Sequence, residues 1–526
     1  MTVWESVEVW RLRRPRKELE LNAMKRRNFL RPQSELSHAT TYSEWMEIAQ
    51  QIDLKSGKDK WKKNDVDNRY DYRRIRDRLE ALRHARETHD EQELLFALNE
   101  GLHGNVGGIG NPALYDEAVL GTKDLIADYM AELERAIRHM AAVKDDVVPF
   151  EERLDFFRRA SHCYGRTALM LSGAGSLSPY HFGVISALHG EGFLPDVISG
   201  SSGGAIIAAI VGTRTPAELD ALLTKTAMVD LAIPDGDEEI VQSEGAQVST
   251  TELMRHIERL LPDLTFEEAF EVSGKYINIS VAPTEQPHQK SRLLNVITSP
   301  HVFVREAVRA SCAVPGVHPP CQLAAKDYNG LRKSYLPELK WIDGAISDDL
   351  PARRLSRLYG VNHTIASQTN PAYLWSIQAS KRLSGPARTV FDWSQDLWRL
   401  NVRTSKYFSK PLTDRIESLA SVSHIFYSMA LQEFTADVTI IPNQIFFDPR
   451  KILAQISREE TLKLIESGQR STWPEIERIR NSTRVSIALS EILEDYEPYS
   501  TIKHHHPLPT IEAAKKSRRS GGSLRD

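Results

Sequence analysis

Apolar residues recur along this chain in two rhythms, and the rhythm changes near residue 165. Before it, DYRRIRDRLEALRHARETHDEQELLFALNEGL spaces Ile75, Leu79 and Leu82, then Leu94, Leu95 and Leu98, at intervals that line one helix face. The same period runs through YSEWMEIAQQID upstream and LGTKDLIADYMAELERAIRHMAA downstream. HGNVGGIGNPALY (103–115) breaks it with four glycines and a proline. A Gly-rich loop can cradle phosphate. This one lacks a preceding strand and a closing Lys-Ser/Thr, so it reads as a structural turn. The pattern predicts a mostly helical N-terminal domain over 38–160, behind a basic lead-in over 1–37.

After residue 165 the apolar runs shorten and become continuous. TALMLSG, LPDVISG, YINISVAP, RLLNVIT, LKWIDGA and HTIASQ read as buried strands. PYHFGVISALHGEGF, GAIIAAIVG, AELDALLTKTAM and the segments 303–312 and 350–359 read as helices between them. Strands alternating with helices predict an α/β domain with a largely parallel sheet, spanning 166–375. Residues 376–496 read as a C-terminal helical region, and 497–526 as a disordered basic tail holding His504, His505 and His506.

Composition narrows the classes. With 526 residues and 41% apolar content the chain has material for two or three domains with a sizeable core. A net charge of −4 argues against a nucleic-acid partner. Three cysteines, Cys163, Cys312 and Cys321, with no C-x-x-C pair, fit a reducing compartment and neither a disulfide framework nor a zinc site. The basic first thirty residues hold no apolar stretch of secretory type, and no window approaches the roughly 20 apolar residues that span a bilayer. The chain is therefore expected to be cytoplasmic rather than secreted.

The candidate chemistry sits in DVISGSSGGAIIAAIVG. Gly200-Ser201-Ser202-Gly203-Gly204 matches G-x-S-x-G with Ser202 at its centre, between an expected strand and an expected helix. That is the setting of a nucleophile elbow: small flanking residues, Gly200 and Gly204, allow a tight turn, and the helix N-terminus favours a developing oxyanion. LSGAGSLSPYHFGV supplies a second strand-to-helix turn, whose Gly173, Ala174 and Gly175 can present successive backbone N–H groups to such an oxyanion. No acidic residue stands about 20 positions on, where a ribose would require one, so this turn does not read as a dinucleotide cradle. Asp343, in Asp343-Gly344-Ala345 at the end of LKWI, is placed either as a base for the serine or as an Asx-turn aspartate.

A Gly-rich turn, then G-x-S-x-G, then D-G-A, in that order, resembles the patatin-like phospholipase family. RASCAVPGVHPP and YGVNHTIASQTNP look like its triacylglycerol lipase branch, and the helical region with EWMEIAQQIDLKSGKDKWK resembles the domain preceding the patatin domain in that branch. The resemblance covers about residues 20 to 490. It implies a three-layer α/β fold and a Ser-Asp dyad: Ser202 the nucleophile, Asp343 the base, Gly173, Ala174 and Gly175 the oxyanion hole. It implies acyl-ester hydrolysis, most simply of triacylglycerol. Phospholipase or lysophospholipase activity, or an inactive lipid-binding fold, are the alternatives. Neither metal nor other cofactor is implied. The family's turn usually carries glycine where Ala174 and Ser178 stand. A positive φ at either would cost roughly 1 kcal/mol or more.

Rival machinery is poorly supported. His363 follows Asp343 in the order of a Ser-Asp-His triad, but its place in an apolar run reads as structural, as does His181. No histidine pair has H-x-x-x-H or H-E-x-x-H spacing for zinc hydrolysis. No histidine has an Asp five positions on, as the H-x-x-x-x-D motif of acyltransferases in this branch would require. The implied partner is a lipid, met peripherally at a membrane or lipid-droplet surface. The basic lead-in and the segment 389–409, TVFDWSQDLWRLNVRTSKYFS, are candidates for docking there. Oligomeric state is not legible.

Overall fold

The computed structural model describes residues 34–100, 102, 104–232, 249–284, 291–315, 317–346, 348–370, 374, 436–442 and 455–504. Residues 1–33 of the basic lead-in 1–37, the docking candidate 389–409 and the tail beyond 504 lie outside the described residues. In chain order, helices α1 (Tyr42–Ser56), α2 (Tyr72–Glu87), α3 (Glu91–Asn99), α4 (Asp124–Ala142) and α5 (Phe150–Tyr164) precede the first strand. The chain forms two compact units: one from Met1–Asp65, Gly110–Asp124 and Gly165–Thr483, the other from Val66–Ile109, Leu125–Tyr164 and Arg484–Asp526.

The second unit is helical. Ile75, Leu79, Leu82, Leu94, Leu95 and Leu98 are all buried, as their spacing requires. Gly107 (φ 59°) and Gly108 (φ 80°) turn the chain, and the Gly107 carbonyl accepts from the Asp71 N–H at 2.8 Å, so this glycine loop is a structural turn.

The first unit carries the sheet and also takes in α1 and 110–124, which the linear reading grouped with the helical domain. The buried Asp53 on α1 explains this. Its carboxylate accepts the backbone N–H of Val119 at 2.8 Å and Leu120 at 3.1 Å, and it pairs with Lys62 at 2.7 Å. Trp45 and Ala49 of α1 lie in one apolar cluster with Ala187 and Trp473.

Strands β1 (Arg166–Leu171), β2 (Val197–Gly200), β3 (Tyr276–Pro283), β4 (Arg292–Asn295), β5 (Leu323–Lys326), β6 (Arg332–Tyr335), β7 (Trp341–Asp343), β8 (Val361–Ser367) and β9 (Val438–Ile440) follow. The main sheet runs β4-β3-β2-β1-β8-β9, with β7 also on β3. β1, β2, β3, β8 and β9 pair in parallel, and β4 and β7 run antiparallel to β3. Burial on both faces explains the continuous apolar runs in β1 and β2. Two features depart from the expected elements. β5 and β6 form a separate hairpin, and β9 adds a strand inside the stretch read as helical. Three residues, Val438–Ile440, are too short a run to display a period.

Helices α6 (Pro179–Gly190), α7 (Gly203–Val211), α8 (Val304–Ser311), α9 (Ala352–Tyr359), α10 (Arg458–Thr472) and α11 (Ile476–His504) alternate with or follow these strands. α7 is apolar on almost every side and buried on almost every side, as a helix inside a layered core must be. α6 and α10 meet backbone to backbone at two glycines. A Cβ on Gly183 would stand 1.9 Å from the Ile465 carbonyl oxygen, and one on Gly468 would stand 2.2 Å from that of Tyr180. No helix among the described residues is long and apolar enough to cross a membrane.

Candidate active site

Ser202 sits where β2 ends and α7 begins, at φ 51° and ψ −124°. A non-glycine residue holds this conformation only when its surroundings impose it. They do so through backbone crowding. A Cβ on Gly200 would meet the Gly204 carbonyl oxygen at 2.4 Å, and one on Gly204 would meet the Leu171 and Ser172 carbonyl oxygens at 2.5 Å. Both flanking positions of G-x-S-x-G therefore exclude any side chain. The Ser202 N–H donates to Ser311 Oγ at 3.0 Å, and Ser311 Oγ–H in turn donates to the Ser280 carbonyl at 2.8 Å, which pins the turn to β3. Ser202 is half-buried and so remains reachable.

Strand register brings Asp343 to this serine. β2 and β3 run in parallel with Gly200 opposite Ile279. Two residues further along, where β2 has turned off into the elbow, Val281 pairs instead with Asp343 on β7. Asp343 thus stands level with Ser202. The Asp343 carboxylate accepts the Ala345 N–H at 2.8 Å, an Asx-type turn. Gly344 is obligatory, since a Cβ there would stand 2.2 Å from the Ser280 carbonyl oxygen. Burial pushes the Asp343 carboxyl from an ordinary 3.8 up to about 7. The Ala345 N–H and Ser202 hydroxyl pull it down, and the nearby Asp349 adds to the rise.

The Gly-rich turn follows β1. Gly175 takes the positive φ (52°), whereas Ala174 (φ −133°) and Ser178 (φ −52°) lie in regions open to any residue. The two departures from glycine therefore carry no backbone strain. A Cβ placed on Gly173 would lie 3.7 Å from Ser202 Cβ and 3.1 Å from Ala345 Cβ, so the turn borders the serine and the D-G-A segment together. Of the three N–H groups expected in an oxyanion hole, that of Gly173 is already engaged, donating to Asp349 Oδ1 at 2.7 Å. Those of Ala174 and Gly175 have no acceptor among the described residues.

Asp349 is the residue that sequence reasoning missed. Its Oδ1 also accepts the Ser201 hydroxyl at 2.6 Å, and its Oδ2 accepts from Asn370 Nδ2 at 2.8 Å. One buried carboxylate thus ties the Gly turn, the elbow and the end of β8 together. Burial raises its pKa, while its Ser201, Asn370 and Gly173 donors favour the ionised form. The signal was ISDDLP, directly after D-G-A, but nothing in the residue types marks the second aspartate as structural.

The histidines are structural. His181 lies fully buried beneath the Gly turn. Its Nε2–H donates to the Ser172 carbonyl at 3.0 Å, which leaves Nδ1 to accept the Ser367 hydroxyl at 2.7 Å. Burial lowers its pKa to about 4, so it is a neutral prop. His363 is opposite Thr167 on β1, four positions before Ser367, and so about 13 Å from the strand end that carries the site. It is not the third member of a triad. Cys312 Sγ lies 3.5 Å from the Ser202 carbonyl, and burial pushes its thiol well up, which keeps it protonated.

A family model described as patatin-like phospholipase matches residues 169–356, and a domain of unknown function, DUF3336, matches 21–162. A patatin-like phospholipase domain-containing protein of Neosartorya fischeri is 33% identical over 494 residues, covering 88% of this chain and 69% of that protein. Triacylglycerol lipase 5 of Saccharomyces cerevisiae is 30% identical over 489 residues, covering 88% of this chain and 64% of that protein. Among solved structures, VipD from Legionella pneumophila overlaps 63% of this chain and 67% of that one at 13% identity. Its TM-score of 0.24 is too low to bear on the fold.

Proposed function

This chain belongs to the patatin-like phospholipase family and is a lipid hydrolase, and from that premise we propose that it cleaves triacylglycerol by a Ser202–Asp343 dyad. The observation that carries the reading is the strained Ser202 on its strand-turn-helix, level by strand register with a buried Asp343 whose pKa of about 7 suits a general base near neutrality. Ser202 Oγ attacks the ester carbonyl carbon while Asp343 takes the hydroxyl proton. The C–O bond to the alcohol breaks, and that proton leaves with the alcohol. Water then attacks the acyl-enzyme, gives its proton through Asp343 back to Ser202 Oγ, and releases the fatty acid.

The oxyanion is assigned to the Ala174 and Gly175 N–H groups, with the α7 N-terminus adding a favourable field. Gly173 supports the turn rather than the hole, because its N–H is held by Asp349. The triacylglycerol assignment leans on the yeast relative's name. Contact with the lipid surface is assigned to the tip of the β5–β6 hairpin, where Tyr328 is 95% and Leu331 60% exposed.

The test is fatty-acid release from emulsified triolein and from phosphatidylcholine vesicles by wild type, Ser202→Ala and Asp343→Ala, with circular dichroism on each. Release from triolein that both substitutions abolish supports the dyad and the substrate. Release only from phosphatidylcholine moves the substrate to phospholipid, and release indifferent to Ser202 overturns the mechanism.

A further inference from the structure

We propose that His89, Glu91 and His139 form a binding site for a zinc-class divalent cation in the helical unit. The three come together from two ends of the sequence. His89 and Glu91 flank the turn between α2 and α3, and His139 lies in the last turn of α4, 48 residues beyond Glu91. His139 Nε2 stands 3.0 and 3.1 Å from the two Glu91 oxygens, and His89 Nδ1 stands 3.9 Å from Glu91 Oε1. The two imidazole rings are 6.0 Å apart between centroids and tilted by 36°. One ligand atom from each residue falls within 4.8 Å of the others. Tetrahedral zinc with bonds of about 2.0–2.1 Å needs its donors roughly 3.3 Å apart. Glu91 and His139 nearly satisfy this already. His89, with a side chain 77% exposed, has only to swing inward by about 1 Å.

A second observation concerns the backbone of His89. Helix α2 ends in a Schellman arrangement, the His89 N–H on the Arg86 carbonyl at 3.4 Å and the Asp90 N–H on the Ala85 carbonyl at 3.0 Å. His89 occupies the left-handed position of that motif, at φ 54°, where glycine is strongly favoured. A histidine kept at a glycine position is explained if its imidazole has a use, and strain of this kind concentrates at functional sites. Ser202 is another of the non-glycine residues with positive φ among the described residues.

Donor chemistry selects the ion. Two imidazoles and one carboxylate suit zinc and its borderline neighbours, whereas calcium and magnesium prefer sets made of oxygen alone. Water completes the fourth position on the exposed side. The bound ion would clamp the α2–α3 turn to the end of α4 within the helical unit and takes no part in acyl transfer. Sequence spacing hid the site because one ligand is so distant in the chain.

The experiment uses the full chain with His504–His506 changed to alanine, which removes any contribution of three consecutive histidines to metal binding. After chelator treatment, ZnCl2 is titrated against a chromogenic zinc indicator, and melting is followed with and without zinc. One equivalent is expected, with a rise in melting temperature. Glu91→Gln and His139→Gln should each weaken binding at least about tenfold. His89→Gly is the discriminating variant: its metal-free form should melt higher than the parent, because glycine relieves the strained backbone, yet it should lose the response to zinc. A parent chain that holds no zinc against the indicator overturns the proposal. So does a zinc response that survives both His89→Gly and His139→Gln.

Discussion

Removing the Asp349 carboxylate should cripple catalysis without touching either member of the dyad. Three donors converge on this side chain: the Gly173 N–H at 2.7 Å, the Ser201 hydroxyl at 2.6 Å and Asn370 Nδ2 at 2.8 Å. Asp349→Ala takes this acceptor from the buried Gly173 N–H and Asn370 amide, at about 1–3 kcal/mol each, less whatever a water entering the vacated space recovers, while the Ser201 hydroxyl keeps the Asp349 backbone carbonyl at 3.1 Å. The expected loss of stability is therefore about 2–5 kcal/mol. The Gly turn also loses the anchor that aims the Ala174 and Gly175 N–H groups. Since one misplaced oxyanion donor costs about 10²–10³ in kcat, the fall should be of that size, with KM little changed. Asp349→Asn is the control. Its Oδ1 still accepts from Gly173 and Ser201, and a rotated Asn370 amide can face the new NH2. It should fold and keep kcat within about tenfold of wild type. The assay is steady-state hydrolysis of a soluble ester, with urea unfolding of each variant. A folded Asp349→Ala enzyme with wild-type kcat would refute the anchoring role, and so would Asp349→Asn losing as much activity as Asp349→Ala.

The pH profile follows from Asp343. As the base it must be ionised, so kcat/KM should rise through about pH 7 and level off above it, and a profile flat from pH 5 to 8 excludes it as the base. Its folded pKa, about 7, lies above the unfolded 3.8, so its contribution to stability is fully present below pH 3.8 and is lost as pH rises through about 7. Asp343→Asn should therefore be inactive yet melt higher than wild type at pH 8, by up to about 4 kcal/mol, with the difference fading toward pH 4. Calorimetry at both pH values checks the sign. Gly468→Ala should destabilise by about 1–3 kcal/mol, because its Cβ would stand 2.2 Å from the Tyr180 carbonyl oxygen; an unchanged urea midpoint counts against the close helix crossing. Tyr328→Asp with Leu331→Asp should lower release from emulsified triolein several-fold while soluble-ester hydrolysis stays at wild-type rate. Equal loss on both substrates argues against a docking role for the hairpin.

Much of the architecture was legible because burial writes itself into hydrophobic rhythm. Ile75 to Leu82 and Leu94 to Leu98 declared the buried faces of α2 and α3, and the unbroken runs of β1 and β2 declared strands covered on both sides. What stayed hidden was decided by partners distant in sequence. β9 is three residues that become a strand only because β8 offers an edge. α1 joins the sheet-bearing unit through one buried aspartate, Asp53, whose donors lie up to 67 residues away. Asp349 looks like any acidic residue in a loop until the fold sets three donors around it.

The Gly-rich turn shows why a motif letter is a weaker statement than a backbone angle. Ala174 and Ser178 stand where glycine is usual, and a distorted hole was the natural fear. The conformational demand falls elsewhere, on Gly175 at φ 52° and on Ser202 at φ 51°. At Ala174, with φ −133°, a methyl group costs the backbone nothing. At Gly173 the constraint is space rather than torsion, since a Cβ there would fit tightly, 3.1 Å from Ala345 Cβ beside the serine. The strain of the site is thus held at Ser202, the proposed nucleophile, where neighbouring backbone and the Ser311 hydroxyl leave it no alternative. The turn that faces it is relaxed, and its Ala174 and Gly175 N–H groups, without an acceptor among the described residues, suit the oxyanion role proposed for them.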